Sequence, residues 1–330
     1  MSIVPKTARP ALPRRRAALA IAALPMAGGT ARAQAFPERP VKLIVPFPAG
    51  GAADVAARAF GDRFSALLGQ PVVVDYRPGA SGNIGAEVVA RGPADGYQLL
   101  FANEFLATNP VMFSAIRYDT LRDFAPIARV ASTPAAIAAH PSLPVKSFAE
   151  LVALGRTRPL NYASPGVGTG PHLYGQLIAL STGARFDNVP YKGSAPATAD
   201  AVGGQVDFIV STLAPMLPHL AAGRLRGLAV TGAKRAAQAP DVPTLAELDA
   251  ALPRYDVWYG VFAPASVPAP VVARLRQAAA QVMQDPDLAA RLRGAGFDVE
   301  PSTPEAFGAE VRADLERWAR VVRDAKIPRE

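Results

Sequence analysis

Apolar and polar positions alternate along the chain in blocks that predict strands followed by helices. In the clearest block, an apolar run from Val41 to Phe47 breaks at a Pro-Ala-Gly-Gly turn. A helical pattern begins directly afterwards, because apolar residues recur at i, i+4, i+8 and i+11 from Ala56. It predicts a helix that ends at Gly69, where a glycine suits the left-handed conformation. Repetition of this order along the chain predicts an α/β fold, with parallel sheets covered by helices on both sides.

Two extended segments, 126–140 and 256–264, separate the blocks of strands and helices. If the chain crosses between domains at both segments, residues 36–132 plus 258–330 form one lobe and residues 133–257 form the other. Ligands of open α/β sheets bind beyond the carboxyl ends of the strands. The sequence therefore predicts a ligand cleft between two lobes.

Residues 1–35 have the pattern of an export signal. A basic region ending in Arg14-Arg15-Arg16 precedes an apolar stretch, 17–27, that is too short to span a bilayer, which needs about 20 residues. Small residues with Ala-x-Ala spacing follow, and they predict cleavage near Ala33 or Ala35. The paired arginines leave the general secretory and twin-arginine routes both open. We expect a periplasmic protein whose mature chain starts near Phe36.

The predicted signal accounts for most of the excess positive charge. The whole chain carries 35 Lys and Arg against 27 Asp and Glu, a net charge of +8, and a chain this basic could suggest nucleic-acid binding. Six of the basic residues and none of the acidic ones lie in the first 35 positions, so the mature chain is close to neutral. No cluster of Lys and Arg with interleaved aromatic residues remains, and we expect no nucleic-acid partner.

The sequence offers little for metal binding or nucleophilic catalysis. It has no cysteine, which excludes disulfides and thiolate chemistry. His140, His172 and His219 lack the spacing of metal ligands, and no Gly-x-Ser-x-Gly elbow is present. We expect no metal, no cofactor and no enzymatic activity. An exported esterase-like hydrolase in the same cleft is the alternative, and consumption of the ligand would distinguish it.

Two glycine-rich junctions between a strand and a helix are candidates for holding an anion. In the first, residues 47–54, Gly50 and Gly51 allow close backbone approach, and the first helical turn has unpaired N–H groups. Asp54 lies in that turn. The favoured interpretation is that its carboxylate accepts hydrogen bonds from loop amides, and direct contact with a ligand is the alternative. The first junction is not a P-loop, since no Gly-Lys-Ser/Thr follows. The second, residues 164–172, lacks the third glycine of a dinucleotide fingerprint and suits a carboxylate better.

Two charged residues nearby have ordinary structural explanations. Lys192 follows a short predicted strand. We favour a position on the surface for this side chain, and the alternative is that its charge faces the cleft. Asp207 precedes an apolar strand, where a strand-edge or hinge role is favoured over catalysis.

Eight segments, in order along almost the whole mature chain, carry a family pattern. They are "RPVKLIVPFPAGGAADVAAR", "VVVDYRPGASGNIGAEVVARGPADGYQLL", "NYASPGVGTGPH", "VPYKGSAPA", "LAAGRLRGLAVTGAKR", "APDVPTLAEL", "VWYGVFAPASVPAPVVARL" and "ERWARVV". Together they resemble the Bug-type, TctC-like receptors of tripartite tricarboxylate transporters.

This resemblance implies a two-lobed, Venus-flytrap periplasmic binding protein fold, with each lobe a mostly parallel sheet flanked by helices. It implies a monomer that holds a small organic acid through backbone amides and ordered water, and that delivers it to membrane permease subunits. A ligand-sensing partner of a membrane signalling protein is the alternative to transport. The expected ligand contacts are Phe47, Pro48, Ala49, Gly50, Gly51, Asp54, Asn103, Glu104, Phe105, Ser164, Gly166, Gly168, Thr169, His172, Lys192 and Asp207.

The chain departs from the family pattern at two places. Ala49 stands where the family often has a second proline, a change that backbone contacts should survive. Glu104 and Phe105 stand where small residues are usual, beyond the third predicted strand. A carboxylate there would oppose an anionic ligand. It could instead accept a hydrogen bond from an amine or amide on the ligand while Phe105 stacks on an aromatic ring, or it could face solvent.

Overall fold

The computed structural model of the protein describes residues 1–3, 36–248, 252, 254–300 and 302–330. The predicted signal peptide falls on positions 1–35, nearly all of which lie outside the described residues, so its cleavage stays a prediction. By its internal contacts the chain separates into residues 1–35 and residues 36–330. The account below concerns the second unit.

The described residues contain nine strands, and their bounds match most of the predicted apolar runs. They are β1 (Val41–Val45), β2 (Val72–Tyr76), β3 (Gln98–Asn103), β4 (Phe124–Ala139), β5 (Leu160–Ser164), β6 (Phe186–Pro190), β7 (Phe208–Thr212), β8 (Arg226–Val230) and β9 (Asp256–Pro264).

Twelve α-helices of the described residues flank these strands, together with two short 3-10 turns at Ala80–Gly82 and Ala214–Met216. The helices are α1 (Ala52–Leu68), α2 (Asn83–Ala90), α3 (Phe105–Met112), α4 (Thr120–Asp123), α5 (Phe148–Thr157), α6 (Gly170–Thr182), α7 (Ser194–Val202), α8 (Leu217–Ala221), α9 (Leu245–Leu248), α10 (Ala269–Met283), α11 (Pro286–Gly294) and α12 (Pro304–Asp324). Within the described part of the chain, no helix has both the length and the apolar character that a membrane crossing requires.

Parallel strands form the two ends of the strand arrangement, and antiparallel strands join them. The order is β2-β1-β3-β9-β4-β7-β5-β6, with β8 also paired to β4. β1 pairs in parallel with β2 and β3, and β5 pairs in parallel with β6 and β7. The predicted α/β fold with parallel strands is thus confirmed at the two ends of this order, whereas the antiparallel pairings of β9, β4, β7 and β8 between them were not predicted.

The long strand β4 connects the two groups of strands. Its first part, 124–134, pairs antiparallel with β9, and its last part, 135–139, pairs with β7 and β8. The extended segments predicted from sequence therefore correspond to β4 and β9. The lobe boundaries at 132/133 and 257/258 stay a prediction.

The helix that follows β1 shows how local sequence shapes the region of the site. One face of α1 is fully buried through Ala56, Phe60 and Phe64, which recur at helical spacing. The helix ends at Gly69, which adopts φ 72° and donates its N–H to the carbonyl of Ser65. The predicted end of this helix is confirmed, because a glycine has no Cβ to oppose that conformation.

Candidate ligand-binding site

A cavity lies beyond the carboxyl ends of β1, β3, β5, β6 and β7. Residues from both predicted lobes line it, as expected for strands whose carboxyl ends face a common cleft. From the predicted set, the cavity brings together Phe47, Pro48, Gly51, Asn103, Glu104 and Thr169.

Three helices begin at the cavity wall. They are α1, α6 and α7, and their first turns contribute Ala53, Pro171 and Ala195 to the lining. None of the three N-cap residues, Gly51, Thr169 and Gly193, accepts a hydrogen bond from its own helix through a side chain. The first N–H groups of a helix lack partners within it, and the helix dipole adds partial positive charge there. The wall is therefore suited to an anion.

Two of these N-termini are in direct contact across the cavity. The N–H of Ala52 at the start of α1 donates to Oγ of Ser194 at the start of α7, over 3.4 Å. A Cβ built on Gly51 would lie 2.9 Å from the same Oγ. A side chain at position 51 would therefore require the Ser194 hydroxyl to turn away from the N–H of Ala52.

The described residues that line the cavity include no Lys, Arg or His. A bound anion would therefore be stabilised by backbone N–H groups, helix dipoles and neutral polar side chains. Such groups can hold carboxylates and phosphates without a cationic side chain.

Glu104 lies in the wall, and only 1% of its surface is exposed. Oε1 of its carboxyl group accepts a hydrogen bond from the Tyr255 hydroxyl over 2.9 Å. Burial raises the pKa of Glu104 from 4.5 to about 8, although the Tyr255 hydroxyl and the backbone N–H groups of Glu104 and Gly170 favour its ionised form. The alternative in which Glu104 faces solvent is therefore wrong.

Asp54 does not line the cavity, but it bonds to the first loop through the N–H of Gly50. Its carboxylate accepts from the N–H of Gly50 over 2.8 Å and from Nε of Arg58 over 2.7 Å. Burial alone would raise the pKa of Asp54, but the Gly50 N–H, the Tyr76 hydroxyl and the Arg58 guanidinium together lower it. The favoured interpretation, in which Asp54 satisfies a loop amide, is confirmed by these bonds.

Replacing Asp54 with alanine is expected to lower the free energy of unfolding at neutral pH by about 1–3 kcal/mol, because the Gly50 N–H, the Tyr76 hydroxyl and the Arg58 guanidinium lose a charged acceptor. The pKa of Asp54 is lowered in the folded state, so its contribution exists above its ordinary pKa and is lost as the pH falls through the folded-state value. Urea unfolding at about pH 7 and at lower pH measures both effects. Asp62→Ala, which removes an exposed partner of Arg291, is the control and should change stability little. Equal losses in both variants would contradict the role of Asp54.

Other predicted contacts lie behind the wall or beside it. Phe105 is fully buried and packs edge-on against Phe47, with 5.8 Å between the ring centroids. Ser164 is fully buried at the end of β5. Nδ1 of His172 accepts from the N–H of Gly168, and burial lowers the pKa of His172 to about 4, so this ring is neutral at pH 7. These residues shape the wall without lining the cavity.

The remaining predicted contacts lie further from it. Ala49 and Gly50 are exposed, while Gly166 and Lys192 line a neighbouring cavity. Asp207 precedes β7, at the opposite end of that strand from the cavity, where it accepts the N–H of Asn161 and pairs with Arg158. Because each strand residue adds about 3.3 Å, five residues separate Asp207 widely from the cavity.

The sequence interpretation did not identify several lining residues. Ser194 and Ala195 follow Gly193, and this third junction of strand, glycine and helix carried the same signal as the two that were chosen. Thr212 ends β7 and Tyr259 lies in β9. Nothing local distinguishes these last two from other strand residues.

The chain is similar to known proteins over most of its length. Residues 56–327 match the tripartite tricarboxylate transporter family receptor, TctC. The chain belongs to this family. A TctC-family relative from Pseudomonas sp., a UPF0065 protein of the tcbD-tcbE intergenic region, is 36% identical over 95% of each chain. BugT of Bordetella pertussis is 34% identical over 88% of this chain and 91% of its own.

Solved structures with the same fold include other receptors. R. palustris Rpa4515 with adipate has a TM-score of 0.85 and 36% identity, covering 89% of this chain and all of that one. MatC from Rhodopseudomonas palustris with bound malate has a TM-score of 0.82 and 28% identity, covering 87% of this chain and all of that one. The TctC family and these neighbours are solute-binding proteins and not enzymes. The predicted two-lobed periplasmic binding protein fold and the absence of enzymatic activity are thereby confirmed.

Proposed function

We propose that this TctC-family protein is an extracytoplasmic receptor that captures a small carboxylated metabolite in the cavity and delivers it to a membrane transporter. The observation that supports this most directly is that three helices begin at a cavity whose described lining residues include no cationic side chain. Such a wall favours an anion small enough to contact several N–H groups at once. Adipate and malate, the ligands of two structural neighbours, are carboxylates of this size.

Backbone amides would supply most of the contacts to the carboxylate. Candidate donors are the N–H groups of Ala53 and Ala195, in the first turns of α1 and α7. Pro171 and Pro196 cannot donate, since proline has no backbone N–H, and they narrow the choice of donors. Closure of the lobes around the ligand would exclude water and present one shape to a permease.

The test is calorimetric titration of the exported protein, purified from the periplasm, with a panel of mono-, di- and tricarboxylates. We expect selective, saturable binding of acids, and a raised unfolding temperature in their presence, because a ligand bound only to the folded state stabilises it. The ligand should be recovered unchanged. Steady consumption of a bound acid would support the hydrolase instead, and no binding by any acid would overturn the proposal.

Gly51→Ala probes the binding mode within the same experiment. Its new methyl group would lie 2.9 Å from Oγ of Ser194, between the starts of α1 and α7. We expect affinity to fall by about tenfold or more, which corresponds to about 1.4 kcal/mol. Gly294→Ala is the matched control, because a Cβ there meets no atom within 4 Å. Equal affinity in the two variants would contradict a site built on these N-termini.

A further inference from the structure

Glu104 is the one carboxyl group among the described residues that line the cavity, and its two oxygens differ in their hydrogen bonding. It follows β3 directly and precedes α3. Oε1 accepts the Tyr255 hydroxyl, whereas Oε2 is buried and has no hydrogen-bond partner within the described part of the chain. A buried polar atom without a partner is costly, so an unpaired acceptor in a binding cavity points to a missing donor.

The position of the carboxyl group is fixed by its neighbours. The ring of Tyr255 stacks on Tyr174 at 5.4 Å and meets the edge of Trp318 at 5.5 Å. These contacts hold the Tyr255 ring in place, so its hydroxyl stays bonded to Oε1 and does not reach Oε2. Gly170, at the start of α6, packs close to the same oxygen, since a Cβ there would lie 3.0 Å from Oε1. The arrangement leaves Oε2 as the free position.

A second polar atom without a partner lies in the same wall. Thr212 at the end of β7 lines the cavity, is buried, and its Oγ1 makes no hydrogen bond within the described residues. A hydroxyl both donates and accepts, so Thr212 would suit a ligand group of either kind. Glu104 is more selective, because its ionised form only accepts.

We propose that Oε2 of Glu104 accepts a hydrogen bond from an amine or amide group of the ligand, and that this residue sets specificity for acids that carry such a donor. The inference rests on the proposed function, since it assumes that the N-termini hold the ligand's carboxylate. The ring of Phe105 has no part in it, because that side chain does not line the cavity.

The pH dependence of binding distinguishes whether Glu104 accepts a hydrogen bond from the ligand or donates one to it. Its pKa of about 8 means that the carboxyl group is mostly protonated in the ligand-free protein at pH 7. An ammonium group would favour the ionised form, so binding would release a proton and strengthen as the pH rises. If Glu104 instead donated its proton to a second ligand carboxylate, binding would strengthen as the pH falls. The other charged or titratable groups that act on Glu104 are Tyr255, Tyr259 and Asp314.

The experiment titrates the exported protein with three acids of one length: succinate, succinamate and 4-aminobutanoate, and with the matching six-carbon set based on adipate. We expect the amide or amine member of one set to bind at least about tenfold more tightly than its diacid. Titration of the amine in two buffers of different ionisation enthalpy should show close to one proton released at pH 7. This measurement needs no variant, so it stands even if a substitution prevents folding.

Glu104→Gln separates the contribution of the charge. We expect it to lose the preference for the amine by about tenfold or more and to abolish proton release, while the amide still binds. Glu316→Gln, an exposed substitution on α12, is the control and should leave all affinities unchanged. A wild-type preference for diacids that grows as the pH falls would overturn the assignment, as would unchanged preferences in Glu104→Gln. Failure of every acid to bind would overturn the proposed function itself and the inference with it.

Discussion

Gly170→Ala is expected to abolish tight ligand binding and to lower the free energy of unfolding by about 1–3 kcal/mol or more, the range for overpacked interiors. A Cβ on this residue would lie 1.7 Å from the Tyr255 hydroxyl oxygen and 2.5 Å from its Cζ. The tyrosine cannot retreat, because Tyr174 and Trp318 contact its ring. Either the start of α6 or the Tyr255–Glu104 pair must move, and both form the wall of the cavity.

The cost at Gly170 is steric and not conformational. The residue has no positive φ, so alanine can adopt its backbone angles. Gly294→Ala, which meets open space, is the control, and both variants are compared by urea unfolding and by calorimetric titration. In the Gly170→Ala background, Tyr255→Phe removes the most severe clash and should recover part of the stability. Wild-type stability in Gly170→Ala, or additive effects in the double variant, would contradict this packing.

The stability of the ligand-free protein, compared with that of Glu104→Gln, is expected to fall as the pH rises from about 5 to about 8. The folded-state pKa of Glu104 is about 8, against 4.5 in the unfolded chain. Between these values the folded protein keeps a proton that the unfolded chain releases, so each rise in pH favours unfolding. The change should amount to a few kcal/mol, since each unit of difference in pKa corresponds to about 1.4 kcal/mol.

Urea unfolding of both proteins at several pH values measures this change. Glu104→Gln has no proton to lose at this position, so the difference between the two free energies isolates the carboxyl group. The Tyr255 hydroxyl does not ionise between pH 5 and pH 8, because burial raises its pKa well above its ordinary value. A difference that stays constant with pH would show that Glu104 is ionised in the folded protein throughout. Glu316→Gln again controls for the loss of an exposed carboxylate.

Both predictions concern the contact between Tyr255 and Glu104: the first crowds it by a substitution at Gly170, and the second changes the charge of Glu104. Gly170 gives the Tyr255–Glu104 pair its space, and the pair in turn places an acceptor in the wall at which three helices begin. A receptor with donors alone would hold any small acid of suitable length. The added acceptor would narrow the ligands to acids that bring a donor of their own.

Local pattern was enough to predict the order of strands and helices, the end of α1 at Gly69 and the first two glycine junctions. These features depend on residues close together in the chain: apolar spacing sets the buried face of a helix, and glycine permits the turn. The family resemblance rested on the same segments. Asp54 was also interpreted correctly, because two of the groups that donate to it, the Gly50 N–H and Nε of Arg58, lie four residues away along the chain.

The membership of the cavity was decided only by the tertiary structure. Ser194 and Thr212 join the wall because five strands end beside the same cavity, and Tyr259 joins it because β9 pairs this residue with Asn103 at the end of β3. Asp207 stays away from the cavity because it precedes β7, whose other end lies at the wall. The burial of Glu104 depends on Tyr255, 151 positions away, and on a glycine at the start of α6. The sequence alone determined which segments become strands, helices and glycine turns. The packing of distant segments decided which polar atoms were left without partners, because burial is a property of neighbours in space.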